Sequence, residues 1–193
     1  MNKVLIIVSG PPCTGKTTLG RQIADKFQLP FIYKDGIKES LMDSLGATNR
    51  EESRKLGTAS YQLLYRFVES ILKTGYSLVV ESNFKSEYDS GQFRNLIVKY
   101  SYTPIQIQCK TKGDVLLARY KKRTASGDRH PGHFDILNYS GLETDILRDD
   151  LLKGEFAPLE IGGEVIYIDT TDFSKIDYAG LFENIRNKLN TNI

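Results

Sequence analysis

Residues 10 to 17 read Gly-Pro-Pro-Cys-Thr-Gly-Lys-Thr, a full instance of G-x-x-x-x-G-K-[ST], set directly after the apolar run Val4-Leu5-Ile6-Ile7-Val8. Few backbone arrangements suit that spacing. Glycines let a chain turn tightly, so that successive N–H groups converge on one anion. A helix beginning at Lys16 adds the positive end of its dipole at the same point. Leu19, Ile23 and Phe27 recur every four residues behind it and predict such a helix. Strand, loop and helix in that order are the context in which the pattern means phosphate binding. The expected nucleotide site is therefore Gly10, Pro11, Pro12, Cys13, Thr14, Gly15, Lys16, Thr17 and Thr18. Lys16 is expected to reach the β- and γ-phosphates, and the Thr17 hydroxyl to ligate Mg²⁺. Cys13 lies near a helix N-terminus, where a thiol ionises more readily, but reads more simply as a small loop filler.

The rest of the chain alternates short strand-like runs with amphipathic segments. Strands are predicted at Val4–Val8, Phe31–Tyr33, Ser77–Val80, Ile105–Cys109 and Val165–Ile168. Most are continuously apolar, as in a parallel sheet covered by helices on both faces. Ile105-Gln106-Ile107-Gln108-Cys109 alternates instead, which predicts one less buried face. Leu63, Leu64, Phe67, Val68, Ile71 and Leu72 form one helical stripe, and Leu181, Ile185 and Leu189 another. Ser86 with Asp89 and Ser174 with Asp177 stand close to the capping-box spacing and predict helix starts. Between Thr124 and Tyr139 the rhythm breaks into a polar stretch containing Arg129, His130, Pro131 and His133; long loops of this kind often act as lids.

Composition narrows the field. The 193 residues suffice for one α/β domain, expected to span 1–193 with a lid at about 119–139. A hydrophobic share of 40% with 26% charged residues excludes wholesale disorder and fibrous classes. With 26 basic against 24 acidic residues, the net charge of +2 falls short of a dedicated duplex-DNA binder. Cys13 and Cys109 show no metal or disulfide spacing, and the two histidines no metal spacing. The apolar N-terminus ends in Ser9-Gly10-Pro11-Pro12 without a cleavage pattern, and no run approaches a membrane span. The default expectation is a cytoplasmic protein with no membrane partner.

A phosphate loop locates a nucleotide without naming a reaction. No N/T-K-x-D signature for guanine is present, and no apolar strand ends in the Asp-Glu pair of hydrolytic machines. The second strand instead runs into Tyr33-Lys34-Asp35-Gly36-Ile37-Lys38. Strand C-termini in a parallel sheet line the ligand crevice, so Asp35 would face the phosphate loop. It could orient an acceptor hydroxyl and take its proton, N-cap the next helix, or do both. Glu81, ending the third strand, could hold a Mg²⁺-bound water or an acceptor hydroxyl, or simply be solvated; Asn83 is its companion. Arg119 and Arg123 are one helical turn apart and could both face the transferring phosphate, with Arg129 beyond them. The plainer reading is a basic helix end complementing its dipole. Arg54, Tyr61 and Tyr65 are candidates for the acceptor pocket, though the tyrosines could equally be core.

These four features together (Gly10–Thr17, the stretch from Phe31 to Lys38, Glu81-Ser82-Asn83-Phe84 and the Arg-rich lid) resemble the small P-loop kinases of the zeta toxin, chloramphenicol phosphotransferase and polynucleotide kinase group. The resemblance runs to about Asp135. It implies an α/β, three-layer P-loop NTPase fold with a five-stranded parallel sheet in the order 2-3-1-4-5. It further implies Asp35 as general base, Lys38 as an acceptor-binding residue, and Arg119 or Arg123 as the lid arginine. The loop Asp169-Thr170-Thr171-Asp172 looks like the one that packs against adenine. Polynucleotide kinases typically carry a second Asp where Gly36 stands and an Arg where Lys38 stands. Losing that planar fork weakens the case for a nucleic-acid acceptor. The reading is thus a kinase passing the γ-phosphate of Mg·ATP to a hydroxyl of a small molecule. Lys16, Asp35, Arg119 and Arg123 would be catalytic, and Lys38, Glu81, Asn83 and Arg129 substrate-binding. A polynucleotide 5′-hydroxyl kinase and a weakly hydrolysing ATP-binding switch are the alternatives; oligomeric state is left open.

Overall fold

Why the chain takes this shape follows from where its apolar residues fall in a period of two. In the computed structural model, which describes residues 2–126, 130, 131, 133 and 142–190, five strands form one sheet. They are β1 (Val4–Ser9), β2 (Phe31–Tyr33), β3 (Leu78–Glu81), β4 (Thr103–Lys110) and β5 (Glu164–Asp169). Their order is β2-β3-β1-β4-β5, with every pairing parallel, as the resemblance implied. Seven helices connect or flank them: α1 (Lys16–Phe27), α2 (Lys34–Leu45), α3 (Arg50–Thr74), α4 (Ser86–Tyr100), α5 (Gly113–Ala125), α6 (Leu142–Lys153) and α7 (Tyr178–Asn190).

β1 is fully buried and divides the core. Val4, Ile6 and Val8 face α1 and α7, packing with Leu19, Ile23, Leu181, Ile185 and Leu189. Leu5 and Ile7 face the other way, onto Leu64, Val68 and Leu72 of α3 and Phe93 and Ile97 of α4. The result is helices, sheet and helices in three layers. The outer edge of the α3 stripe turns to solvent, with Phe67 exposed. No helix among the described residues is long and apolar enough to cross a membrane.

Three local expectations need correction. β4 is buried on both faces despite its alternation, with Gln106 at 1% and Gln108 at 2% exposure. The Gln106 amide donates to the Leu159 carbonyl at 3.0 Å and accepts from the Leu159 N–H at 2.7 Å, so it mimics a neighbouring strand. The helix starts also differ. Ser86 is the first residue of α4 rather than its cap, and its hydroxyl pairs with Ser90. Asp89 supplies only the returning half of the box, accepting from the Lys85 N–H at 2.7 Å. Ser174 lies in a short 3₁₀ turn, Phe173–Lys175, and the carboxylate of Asp177 itself accepts from the Gly180 N–H at the start of α7. A side-chain cap forms where none was expected. Asn49 accepts from the Glu52 N–H at 3.0 Å, and Glu52 reaches back to accept from the Thr48 N–H, one residue before the cap, at 2.7 Å, opening α3.

Leu64, on the face of α3 turned to the sheet, is wholly buried. Leu64→Ala is expected to remove about 2–5 kcal/mol of stability, read as a lower urea midpoint at unchanged slope.

Candidate active site

The C-terminal ends of β1, β2 and β3 meet at one end of the sheet, and the loop after β1 fills the gap above them. Its turn depends on Gly15, which caps α1 in the left-handed region at φ +82°. A Cβ there would lie 2.7 Å from the Phe173 ring. The Thr14 hydroxyl ties the loop to itself by donating to the Pro11 carbonyl at 3.0 Å. Cys13, also left-handed, packs its thiol side against the small cluster of Leu116, Tyr120 and Leu151, in keeping with a filler.

Lys16 and Thr17 converge on one carboxylate. Thr17 Oγ1 donates to Glu81 Oε2 at 2.7 Å, and Lys16 Nζ stands 3.8 Å from Glu81 Oε1. Glu81 is only 3% exposed, which removes the reading of a solvated strand end. Burial pushes its carboxyl upward, while the ammonium of Lys16 and the hydroxyl of Thr17 pull it back. Parallel register sets this up, since β3 places Glu81 opposite Val8 at the end of β1.

A cleft of about 690 Å³ opens over this end of the sheet. Pro12, Cys13, Gly15, Lys16, Thr17 and Thr18 form one wall, and Asp35, Lys38 and Asn83 stand across from them; Arg119 and Arg123 close the far side. The sequence-derived residues therefore come together, apart from five. Glu81 lies beneath Thr17 rather than on the lining, Gly10, Pro11 and Thr14 are buried within the loop, and Arg129 lies outside the described residues. Tyr61 and Tyr65 are core-facing: the Tyr61 ring packs on Phe84, and the Tyr65 hydroxyl donates to Asp89. Arg54 lines a shallow surface depression with Arg50 and Lys55 instead.

Asp35 sits in the first turn of α2, whose cap position is Tyr33. The capping alternative therefore lapses. Its carboxylate accepts from Lys34 Nζ at 3.1 Å. Burial alone would raise the Asp35 carboxyl, yet Lys34, His133 and Lys16 outweigh it and bring it from 3.8 to about 2. Lys38 donates to Ser53 Oγ at 2.7 Å, which links α2 to α3. At position 36 the Tyr33 ring folds back over the first turn and occupies the space a Cβ would need, so a second aspartate there would have to displace that ring.

The two arginines are not equivalent. Arg119 donates to the carbonyls of Thr170 and Thr171, each at 2.9 Å, and its guanidinium lies 4.1 Å from the Phe173 ring centroid. It grips the loop that follows β5. Arg123, one turn on, lines the cleft with no ion pair or side-chain hydrogen bond to another described residue.

The AAA domain family matches residues 5–138. The chain belongs to that family. A solved structure from Chloroflexus aurantiacus, for which a kinase activity has been proposed, is 40% identical over 97% of this chain and 98% of its own, with a TM-score of 0.87. At the level of fold alone, this AAA domain is also similar to a sugar kinase from Janibacter sp. (14% identity, 100% of both chains, TM-score 0.55). A shikimate kinase from Aquifex aeolicus is similar in the same sense (15% identity, 96% and 95% of the chains, TM-score 0.50). Among curated proteins there is no match.

Sequence reasoning passed over several residues of this site. Lys34 was visible beside Asp35, but neighbouring positions on a helix do not normally face each other. His133 and His130 belong to the stretch expected as a lid, but spacing could not tell that they dock on α2 through Glu39 at 2.8 Å and Asp43 at 3.0 Å, pairs separated by more than 85 residues. Phe173 carried no signal at all. Arg119→Ala would free two loop carbonyls and the Phe173 face. Amides of Thr171 to Phe173 should then exchange with deuterium roughly tenfold faster or more, the effect of one or two lost hydrogen bonds.

Proposed function

We propose that this AAA domain is an ATP-dependent phosphotransferase that moves a γ-phosphate to a hydroxyl of a small molecule. The observation that carries the reading is that Lys16 of the phosphate loop and the ionised Asp35 carboxylate line one cleft. The phosphate tail lies along the loop amides and Lys16, and the acceptor lies against Asp35, Lys38 and Asn83. The acceptor oxygen bonds to the γ-phosphorus as the bond to the β–γ bridging oxygen breaks, and ADP leaves. The acceptor's proton passes to Asp35. Arg123 supplies charge to the transferring oxygens, while Arg119 holds the loop on the nucleotide-base side.

The oxygens of Thr17 and Glu81 suit Mg²⁺, a hard cation that keeps several waters. Thr17 would hold the ion and Glu81 its waters; bound there, it neutralises charge on the β- and γ-phosphates. Its carboxyl held near 2 gives Asp35 little basicity in the ground state. Phosphoryl transfer tolerates this, because its loose transition state asks mainly for alignment and releases the proton late. Kinship with sugar and shikimate kinases in fold, and a cleft sized for a small ligand, support a small acceptor over an oligonucleotide.

Labelled ATP offered with hydroxyl-bearing metabolites and with oligonucleotides tests the reading. Label should appear on a small alcohol; transfer to 5′-hydroxyl ends alone, or to water alone, would overturn it. With the acceptor so found, Asp35→Asn should lower kcat by roughly 10²–10⁴ while calorimetry shows unchanged ATP affinity. Arg123→Met should depress kcat more than KM for ATP, and Arg119→Met the reverse.

A further inference from the structure

Lys34 has no role in the mechanism above, yet its surroundings are specific. Its ammonium is 3.1 Å from Asp35 Oδ1 and 5.6 Å from the Tyr61 ring centroid, and its side chain is 17% exposed. Residues i and i+1 of a helix project apart, so this contact does not come from helical spacing. Lys34 is the first residue of α2, following Tyr33 in an extended conformation, and must bend back over its neighbour to reach it. Tyr61, from α3, provides the surface that holds it there. A cation over an aromatic face is attracted to it, more so when partly desolvated. Tyr61 is itself fixed: its ring packs edge-on to Phe84, and its hydroxyl accepts from Ser82 Oγ at 2.9 Å, next to Glu81.

We propose that Lys34, seated on Tyr61, is the positioning residue that keeps the Asp35 carboxylate ionised and fixed in the cleft. This rests on reading Asp35 as the acceptor-side carboxylate. The charged and titratable groups around Asp35 are Lys34 on its own helix, Lys16 of α1, His133, Glu81 of β3 and Tyr61 of α3. Glu81, the like charge, opposes ionisation. Lys16 must serve the phosphates once a nucleotide binds, and His133 is engaged with Glu39. Lys34 is the cation whose charge and place persist through the cycle. It also offsets the desolvation that would otherwise return the carboxyl to its neutral form as the cleft closes over a substrate.

The test needs no acceptor. The intact chain is labelled with ¹³C at aspartate carboxyls, and the Asp35 signal is assigned by its loss in Asp35→Asn. Between pH 7 and pH 4 that signal should stay flat in the wild type. In Lys34→Met, and in the milder Lys34→Gln should the first fold poorly, the midpoint should rise by roughly 2–3 pH units and come into view. Lys34→Arg and Tyr61→Phe, which keep the cation and the ring, should leave it flat; Tyr61→Leu should raise it. A signal that stays flat in both Lys34→Met and Lys34→Gln would overturn the proposal. So would an equal rise in Lys34→Arg, since charge would then not be the cause. A wild type that phosphorylates no alcohol would sink the kinase reading and leave this titration untouched.

Discussion

A single buried carboxylate organises one end of this molecule. Glu81 is sealed from solvent at the tip of β3, and a charge so placed is tolerated only beside a partner. The partner is Lys16, with Thr17 supplying the hydrogen bond. For the three to meet, β3 must lie next to β1 in the register that sets Glu81 opposite Val8, and α1 must begin at residue 16. Strand order, loop conformation and helix start are thus bound into one condition.

The opposite wall follows a different logic. α2 leaves β2 without a side-chain cap and puts its first turn into the cleft. Tyr33 folds over that turn, stacks on Phe31 at 5.3 Å and lies beneath the Arg21 guanidinium at 5.8 Å. Gly36 makes room for it. This wall of the cleft therefore presents an aromatic face, lysines and the Lys34–Asp35 ion pair rather than paired aspartates. His130 and His133 fasten their segment to the same helix, on the face four residues apart that also carries Asp35. A change in α2 would be felt both at Asp35 and at the two histidines docked on it.

Much of this was readable in the sequence because the signals are local. Gly10–Thr17 has one conformational meaning, and a continuous apolar run such as Val4–Val8 can only be a strand buried on both faces. Sequence failed where a residue's environment is made by a distant segment. Gln106 looked like a solvent-facing position, since nothing in Ile105–Cys109 tells of the backbone at Leu159 that satisfies its amide. Arg119 and Arg123 are indistinguishable by spacing; they separate only when β5 brings Thr170 and Phe173 under one of them. Ser86 and Asp177 carried the right chemistry for a cap in a frame shifted by one or more residues, an error that backbone dihedrals resolve and composition does not.

The charge state of Asp35 bears on what kind of catalyst this site can be. A general base works best with a pKa near the working pH, and a carboxyl held near 2 is far from that. An enzyme that had to remove the acceptor's proton early would gain by letting burial raise Asp35, and Lys34 beside it would be counterproductive. Where bond breaking to the leaving ADP runs ahead of attack, the acceptor oxygen stays nearly neutral until late, and its acidity then climbs steeply as the new bond forms. A fixed, ionised carboxylate that accepts one hydrogen bond in a known direction is then worth more than a basic one free to rotate. Half the Asp35 side chain is still open to the cleft, at 43% exposure, so one oxygen can hold Lys34 while the other meets a hydroxyl. The ion pair on one side and the loose transition state on the other are consistent with a single design.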